Sequence, residues 1–526
     1  MHQVTLILLL FTLTTALSLA AVRVKIPYPT AMVLAGLLIG VAVYAIPGFN
    51  GWSVRLDPDV LFTAILPPLL YGAAWNTSWN GFRSNLRPIL LLAIGAVLFT
   101  TTGVAALSML LLPGFTWAMA FVLGAIVSPP DAVAVESVME RMRLPRQITL
   151  VLSGESLVND ASALVIYRLA LRAASGDEFH LAQALAQFPV VALGGVAVGL
   201  LLAFLLHQVH QRIEQPLIET AMTLLAPYGA YLFAEELHVS GVLAVVVCGL
   251  VLSRHSSHLF SSQTRLTAVA LWNFLTFILN GLVCILIGLQ LPGILRQLPA
   301  SLGVVLLDAA ALCAALILLR LMWVYAIAYL PRILPAIRRR EPRPPPRQVF
   351  LVGWVGMRGV VSLAAALALP MRLADGSALP GRNRVLFLTF AVILFTLVVQ
   401  SLTLPAVVRA LGIETPDEDR CEEAEARRLA LTAALDLLAS RPNSHGNTML
   451  ASLYTHRLEN LSDCRDDTPP RPDPDQILHR DSIHVQRNAI VELRNNGRIT
   501  DELLHRLERE LDLEESRLPP AAAHPV

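Results

Sequence analysis

Apolar residues fill the first four-fifths of this chain in blocks of about twenty, cut by short polar or Pro- and Gly-containing joints. A bilayer core needs ~20 mostly apolar residues in a helix that rises about 1.5 Å per residue. Blocks that meet this requirement run approximately over 4–22, 29–47, 59–77, 88–112, 115–138, 149–173, 183–208, 216–236, 238–254, 266–292, 302–330, 348–371 and 385–411. They are called spans 1 to 13. The first has no Lys or Arg ahead of it and is long for a signal peptide, so it reads as a span. In hydrocarbon every backbone N–H and C=O has to bond within its own segment, which predicts helices throughout.

Past residue 412 the pattern changes to Glu, Asp, Arg and Leu. The expected division is a transmembrane domain over 1–412 and a helical tail over 413–526. Asn495-Asn496-Gly497 is a helix stop and Thr500-Asp501-Glu502 a helix start. Leu503, Leu504, Leu507 and Leu511 then fall on one helical face. Thr468 to Pro474, with four prolines, reads as a linker. The tail either simply ends the protein or regulates and stabilises an oligomer.

Composition agrees. The 526 residues are 55% hydrophobic and 15% charged, against about 25% charged in a soluble domain, and mean hydropathy is +0.60. The net charge of +1 is uninformative because the charges are segregated. Five cysteines lie at no metal-like spacing and read as packing residues. Lys and Arg mark cytoplasmic loops. Loops after odd-numbered spans carry sixteen of them and loops after even-numbered spans seven. That bias puts the N-terminus outside and the tail inside.

Three spans carry the chemistry. Span 6 contains GESLVNDASAL, Gly154 to Leu164. An ionisable group at bilayer depth is costly and rarely incidental. Ser156, Asn159 and Asp160 fall within an arc of roughly 120° on a helix. The face offers a hydroxyl, an amide and a carboxylate, oxygen donors suited to a hard cation or, at the carboxylate, a proton. Span 5 has Pro129 and Pro130 before Asp131, and a proline there frees carbonyls that need other partners. Span 12 has Gly353, Gly356 and Gly359 around Arg358. Spans 5 and 12 are seven apart and so cross in opposite directions. This suggests an inverted repeat, spans 4–6 matching 11–13, and interrupted spans in matching places point to a transporter's site. Glu155 and Arg358 each need a counter-charge, and a mutual ion pair is expected. Arg320 in span 11 either snorkels or steadies the acidic site when no ion is bound. Glu219, Glu235 and Glu236 read as end-of-helix charges, with an entry funnel as the alternative.

These residues resemble the monovalent cation:proton antiporter-1 family, the sodium/proton exchangers, and its bacterial branch most closely. The resemblance covers about 5–412 and extends to the tail. Its most specific motif is GESLVND. It implies that Asp160 binds the cation or proton, that Asp131 in SPPDAVAV is the second acid, that Ser156 is a hydroxyl ligand, and that Glu155 and Arg358 in GMRG are an interhelical pair. Asn159 and Pro130 join the cation- and proton-binding set. LPPLLY at Leu66–Tyr71 and LNGLVCILIGLQL at Leu279–Leu291 also match. Two departures stand out. Many relatives carry an acid after the LPP segment where this chain has Gly72 and Ala73. Some have a glutamate after the tryptophan of span 10, where this chain has Trp272-Asn273.

The expected fold is therefore an all-α polytopic membrane protein of about thirteen transmembrane helices, with inverted repeats and unwound spans 5 and 12. The expected function is secondary active exchange of Na+ for H+ in the plasma membrane. With Asn at 159 the family implies electroneutral exchange, and also a homodimer. K+ and Li+ suit the same donors, and a K+-selective proton antiporter is an alternative. A cation channel is the other, though nothing resembles a filter loop. No nucleophile motif, metal cluster or cofactor fingerprint supports an enzyme. The metal bound is the transported monovalent cation, held by Asp160, Asp131 and Ser156. No cofactor, organic substrate or nucleic-acid partner is expected, and the partner is the lipid bilayer.

Overall fold

A computed structural model describes residues 3–24, 26–45, 58–131, 144–175, 181–213, 215–295, 302–333, 343–372, 379–413, 418–440, 445–459, 474–496, 498 and 501–515. Lys25, the second half of span 5, the run Arg338–Arg340 and the linker from Thr468 to Asp473 lie outside them. The chain divides into two compact units, Met1–Thr415 and Pro416–Val526. Among the described residues the regular structure is helical and no strand forms.

Among the described residues, seven helices are long and apolar enough to cross a membrane: Leu86–Leu111, Arg146–Ala174, Gln187–His210, Pro216–Glu236, Ser262–Leu295, Gly303–Tyr329 and Arg382–Leu411. Four shorter apolar segments, Leu10–Ala21, Tyr28–Val43, Trp117–Val127 and Gly241–Ser256, accompany them. Span 5 is short because its helix stops at Val127, before the proline pair. Span 12 is interrupted outright: one helix covers Pro346–Trp354, the next Val360–Leu367, and residues 355–359 are not helical.

Close backbone approach builds the unit around these helices. A Cβ at Gly36 in span 2 would meet the Ile285 carbonyl of span 10, and one at Gly288 would meet the backbone of Val33 to Leu37. Small residues at such a crossing let van der Waals packing hold helices together where lipid removes the hydrophobic drive. Thr30 Oγ1 donates to the Leu397 carbonyl at 2.7 Å and ties span 2 to span 13. Gly72 serves the same end in span 3, since a Cβ there would meet Thr276 Oγ1 at 2.7 Å. The acid that many relatives carry in this region has no room at Gly72.

The glutamates of span 8 sort differently from the sequence expectation in one case. Glu235 does sit near a helix end, where its carboxylate takes two bonds from Arg168, at 2.8 and 3.0 Å, joining spans 6 and 8. Glu219 is not a solvated end-of-helix charge: it is buried, and its Oε2 has no hydrogen-bond partner among the described residues. Its place in the first turn of Pro216–Glu236 made it look terminal, but neighbouring helices cover that turn. Asp308 of span 11, which the hydropathy pattern absorbs silently, faces Arg384, just ahead of span 13, at 3.5 Å.

In the second unit Pro474–Asn495 and Asp501–Glu515 pack together. Ile483, Leu504 and Leu511 are buried between them. Arg487 bonds Asp512 at 2.5 Å and Glu515 at 2.9 Å.

Candidate cation and proton site

Span 6 is one uninterrupted helix, Arg146–Ala174, with no Gly or Pro between Ser156 and Asp160 to disturb it. Its register buries Glu155, Ser156, Asn159 and Asp160 together. Helix spacing alone places the last three on one side. Opposite them lie the two broken segments.

The breaks leave backbone groups that have to be satisfied locally. Asp131 N donates to the Met357 carbonyl at 2.6 Å, so the two interrupted stretches are hydrogen-bonded to each other. The Asp131 carboxylate accepts from Val360 N, the first residue of the second half-helix, at 3.4 Å. A helix N-terminus is a favourable place for an anion. Gly359 makes that approach possible, because a Cβ there would lie on the Asp131 carboxylate. Gly359→Ala is therefore expected to displace Asp131, at an overpacking cost of ~1–3 kcal/mol. Transport should fall severalfold in vesicle assays while expression persists; wild-type flux in that variant would contradict the fit.

The Pro130 carbonyl points at span 6. It accepts from Asn159 Nδ2 at 2.8 Å and from Ser156 Oγ at 3.3 Å. Asn159 and Ser156 thus each direct a donor to the broken backbone, and among the described residues none donates to Asp160. Asp160, Asp131, Ser156, Gly359 and Ser362 line one cavity of about 40 Å³, walled by Leu66, Leu69 and Leu70 of span 3. Drug-sized solutes need about 300 Å³ or more, whereas a water-sized species needs only ~10–15 Å³. A small cavity with two carboxylates and two hydroxyls suits a bare cation or a proton.

The expected Glu155–Arg358 pair is not what the structure contains. Glu155 is paired with Arg320: Nη1 to Oε1 at 2.6 Å and Nη2 to Oε2 at 2.9 Å, a two-point contact with both side chains buried. Arg320 Nη2 also reaches the Val352 carbonyl at 3.3 Å. Arg358 instead bonds carbonyls stranded by the breaks, with Nε to Val127 O at 3.0 Å and Nη1 to Gly356 O. Its own N–H donates to Thr396 Oγ1 at 3.0 Å. The physical reason is local. Arg358 lies within the interruption and meets unpaired carbonyls first, while Arg320 comes from an intact helix at the right height for a planar fork-to-carboxylate contact. Arg320 is accordingly paired with Glu155, and no hydrogen bond joins it to Asp160.

Two further polar groups escaped the sequence reading. Asn280 of span 10 lines a small second cavity beside Asp131 and Gly359, and its Nδ2 has no partner among the described residues. Ser362 Oγ is likewise unpaired and lines the Asp160 cavity. An amide in the middle of an apolar span was the available signal for Asn280.

The chain resembles known proteins in sequence and in fold. The family described as "Sodium/hydrogen exchanger, transmembrane" matches residues 7–410. The chain is 34% identical, over 94% of its length and 92% of the relative's, to an uncharacterized Na+/H+ exchanger of Mycobacterium bovis. It is 33% identical to the Na+/H+ antiporter ApNhaP of Aphanothece halophytica, over 80% and 77% of the two chains. It is 32% identical to the sodium, potassium, lithium and rubidium/H+ antiporter of Bacillus subtilis, over 83% and 66%. Its fold is similar to the solved sodium proton antiporter MjNhaP1 of Methanocaldococcus jannaschii, with a TM-score of 0.59 at 19% identity over 78% of this chain and 98% of that one.

Proposed function

The chain belongs to the sodium/hydrogen exchanger family, and from that premise we propose how it exchanges a monovalent cation for a proton. It is a multi-pass membrane transporter and not an enzyme. The observation that carries the reading is the 40 Å³ cavity in which Asp160, Asp131 and Ser156 meet. Asp160 is the shared carrier. Its carboxylate holds either the cation or the proton, and that mutual exclusion couples the two fluxes without a separate gate. Asp131 is the second acid and Ser156 Oγ a hydroxyl ligand. Asn159 and Pro130 hold the broken span against span 6 through their mutual bond. Alternating access follows from movement of the bundle that contains the breaks against the remaining spans.

The working cation is Na+, moved outward against an inward proton in the plasma membrane, with one titrating group in the Asn159-Asp160 pair supporting electroneutral exchange. The arginine bias of the loops supports a cytoplasmic tail, and the family resemblance supports a homodimer, which crosslinking in membranes tests. Dequenching of a pH dye in everted vesicles, with Na+, K+ and Li+ added separately, tests the cation. A Na+ response at low millimolar concentration is expected; a response to K+ alone would replace Na+ by K+ in this reading.

Competition for one carboxylate has a definite pH signature. Apparent Na+ affinity is expected to weaken as pH falls, and raising Na+ should shift the activity profile toward lower pH. An affinity that stays constant while the rate drops with pH would place the proton sensor outside the site.

A further inference from the structure

A cavity larger than the ion site lies elsewhere in the transmembrane unit. It measures about 470 Å³ and opens among the ends of spans 4, 6, 11 and 12. Among the described residues Arg87, Arg332 and Arg343 line it together with Asn85, Gln147 and Gln348, and no described Asp or Glu does. Deeper, Val151, Val324 and Ile327 make the wall apolar. Tyr325 and Tyr329 hydroxyls donate to the Pro346 and Pro344 carbonyls, at 3.4 and 3.2 Å, and hold the proline-rich wall against span 11.

The polar rim comes from three loops, each following an odd-numbered span. Over 78–88, 139–148 and 330–347 these loops carry eleven arginines against two acids, Glu140 and Glu341. By the arginine bias all three lie on the cytoplasmic side. We propose that this cavity is a binding site for a phosphate-bearing anion, filled in the membrane by the headgroup of an anionic lipid. Guanidinium groups match phosphate oxygens in geometry as well as charge. Basic pockets between helices on the cytoplasmic side suit such headgroups. The apolar wall favours the lipid over a free ion, because it can receive the first carbons of the glycerol and acyl chains.

The site is separate from the transport centre yet mechanically close to it. Gln147 and Asp160 are on the same helix, about 20 Å apart at 1.5 Å per residue. Val352 lines the cavity, and its carbonyl is the third contact of Arg320. An anion here would therefore brace the helices that carry Glu155 and Arg320.

The test uses the full chain in a neutral detergent and follows thermal unfolding as a lipid is titrated in. Phosphatidylglycerol is expected to raise the melting temperature where phosphatidylcholine does not. In the double variant Arg87→Gln/Arg343→Gln the midpoint of that titration should move about tenfold or more to higher lipid. Inorganic phosphate forms the second arm. A rise with phosphate alone that the double variant abolishes would keep the anion site and assign it to a soluble source. An unchanged response of the variant to both probes would overturn the proposal. Should the double variant melt early without any lipid, Arg343→Glu at the exposed rim carries the same comparison: a lost response supports the site, and an unchanged one refutes it. The readout is binding, so its failure is distinct from failure of the exchange mechanism.

Discussion

Replacing Asp160 by asparagine is expected to reduce cation-coupled proton flux to background while the protein still reaches the membrane. The substitution keeps the shape of the side chain and removes its charge and its titration. Nothing else in the cavity can take over. Asp131 is held against the half-helix at Val360, and Ser156 and Asn159 already serve the Pro130 carbonyl. An amide at 160 offers a carbonyl oxygen to a cation but cannot release it in exchange for a proton. Packing should be largely preserved, because among the described residues no donor depends on the Asp160 carboxylate. Vesicle dequenching with Na+ and K+, alongside a membrane expression blot, checks both halves. Sodium-coupled flux near the wild-type level in this variant would remove Asp160 from the mechanism.

The second large effect concerns stability. Glu155→Gln and Arg320→Gln should each destabilise the protein strongly, on the order of 3–5 kcal/mol, because each strands a buried charge that had a two-point partner. The double neutral variant should recover a large part of that loss, since both desolvation penalties disappear together. The Glu155→Gln/Arg358→Gln combination supplies the contrast. Arg358 bonds carbonyls of Val127 and Gly356, so its loss should add to that of Glu155 with much weaker coupling. Thermal melts of the single and double variants in detergent measure both cycles. Strong coupling of Glu155 to Arg358, with additivity toward Arg320, would reverse the pairing.

Much of this molecule is visible in its residues. The apolar blocks predict spans because hydrocarbon forbids unpaired backbone, and GESLVND predicts a polar face because helix spacing is fixed. The proline pair forecasts a helix end, and the helix of span 5 does stop at Val127. What the residues do not encode locally is which buried charges meet. Arg320 and Arg358 are both lone cations in apolar runs. Choosing between them requires knowing that the unwound segment exposes carbonyls which claim Arg358 first. Glu219 was misjudged for a similar reason: its place near a helix start says nothing about what covers that start. Asn280 was missed because a single amide in an apolar span looks like many harmless ones until its neighbour proves to be Asp131. The basic cavity escaped because its arginines, Arg87, Arg332 and Arg343, come from two loops far apart in sequence.

The bond from Asn159 to the Pro130 carbonyl bears on how such a protein can evolve. A carboxylate at 159 would add a second titrating group beside Asp160, the obvious single-base route to moving more protons per cation. It would also delete the amide donor and leave an anion facing a carbonyl oxygen 2.8 Å away. Under the proposed mechanism, a change at 159 that altered the number of titrating groups would therefore also have to supply the Pro130 carbonyl with a new donor.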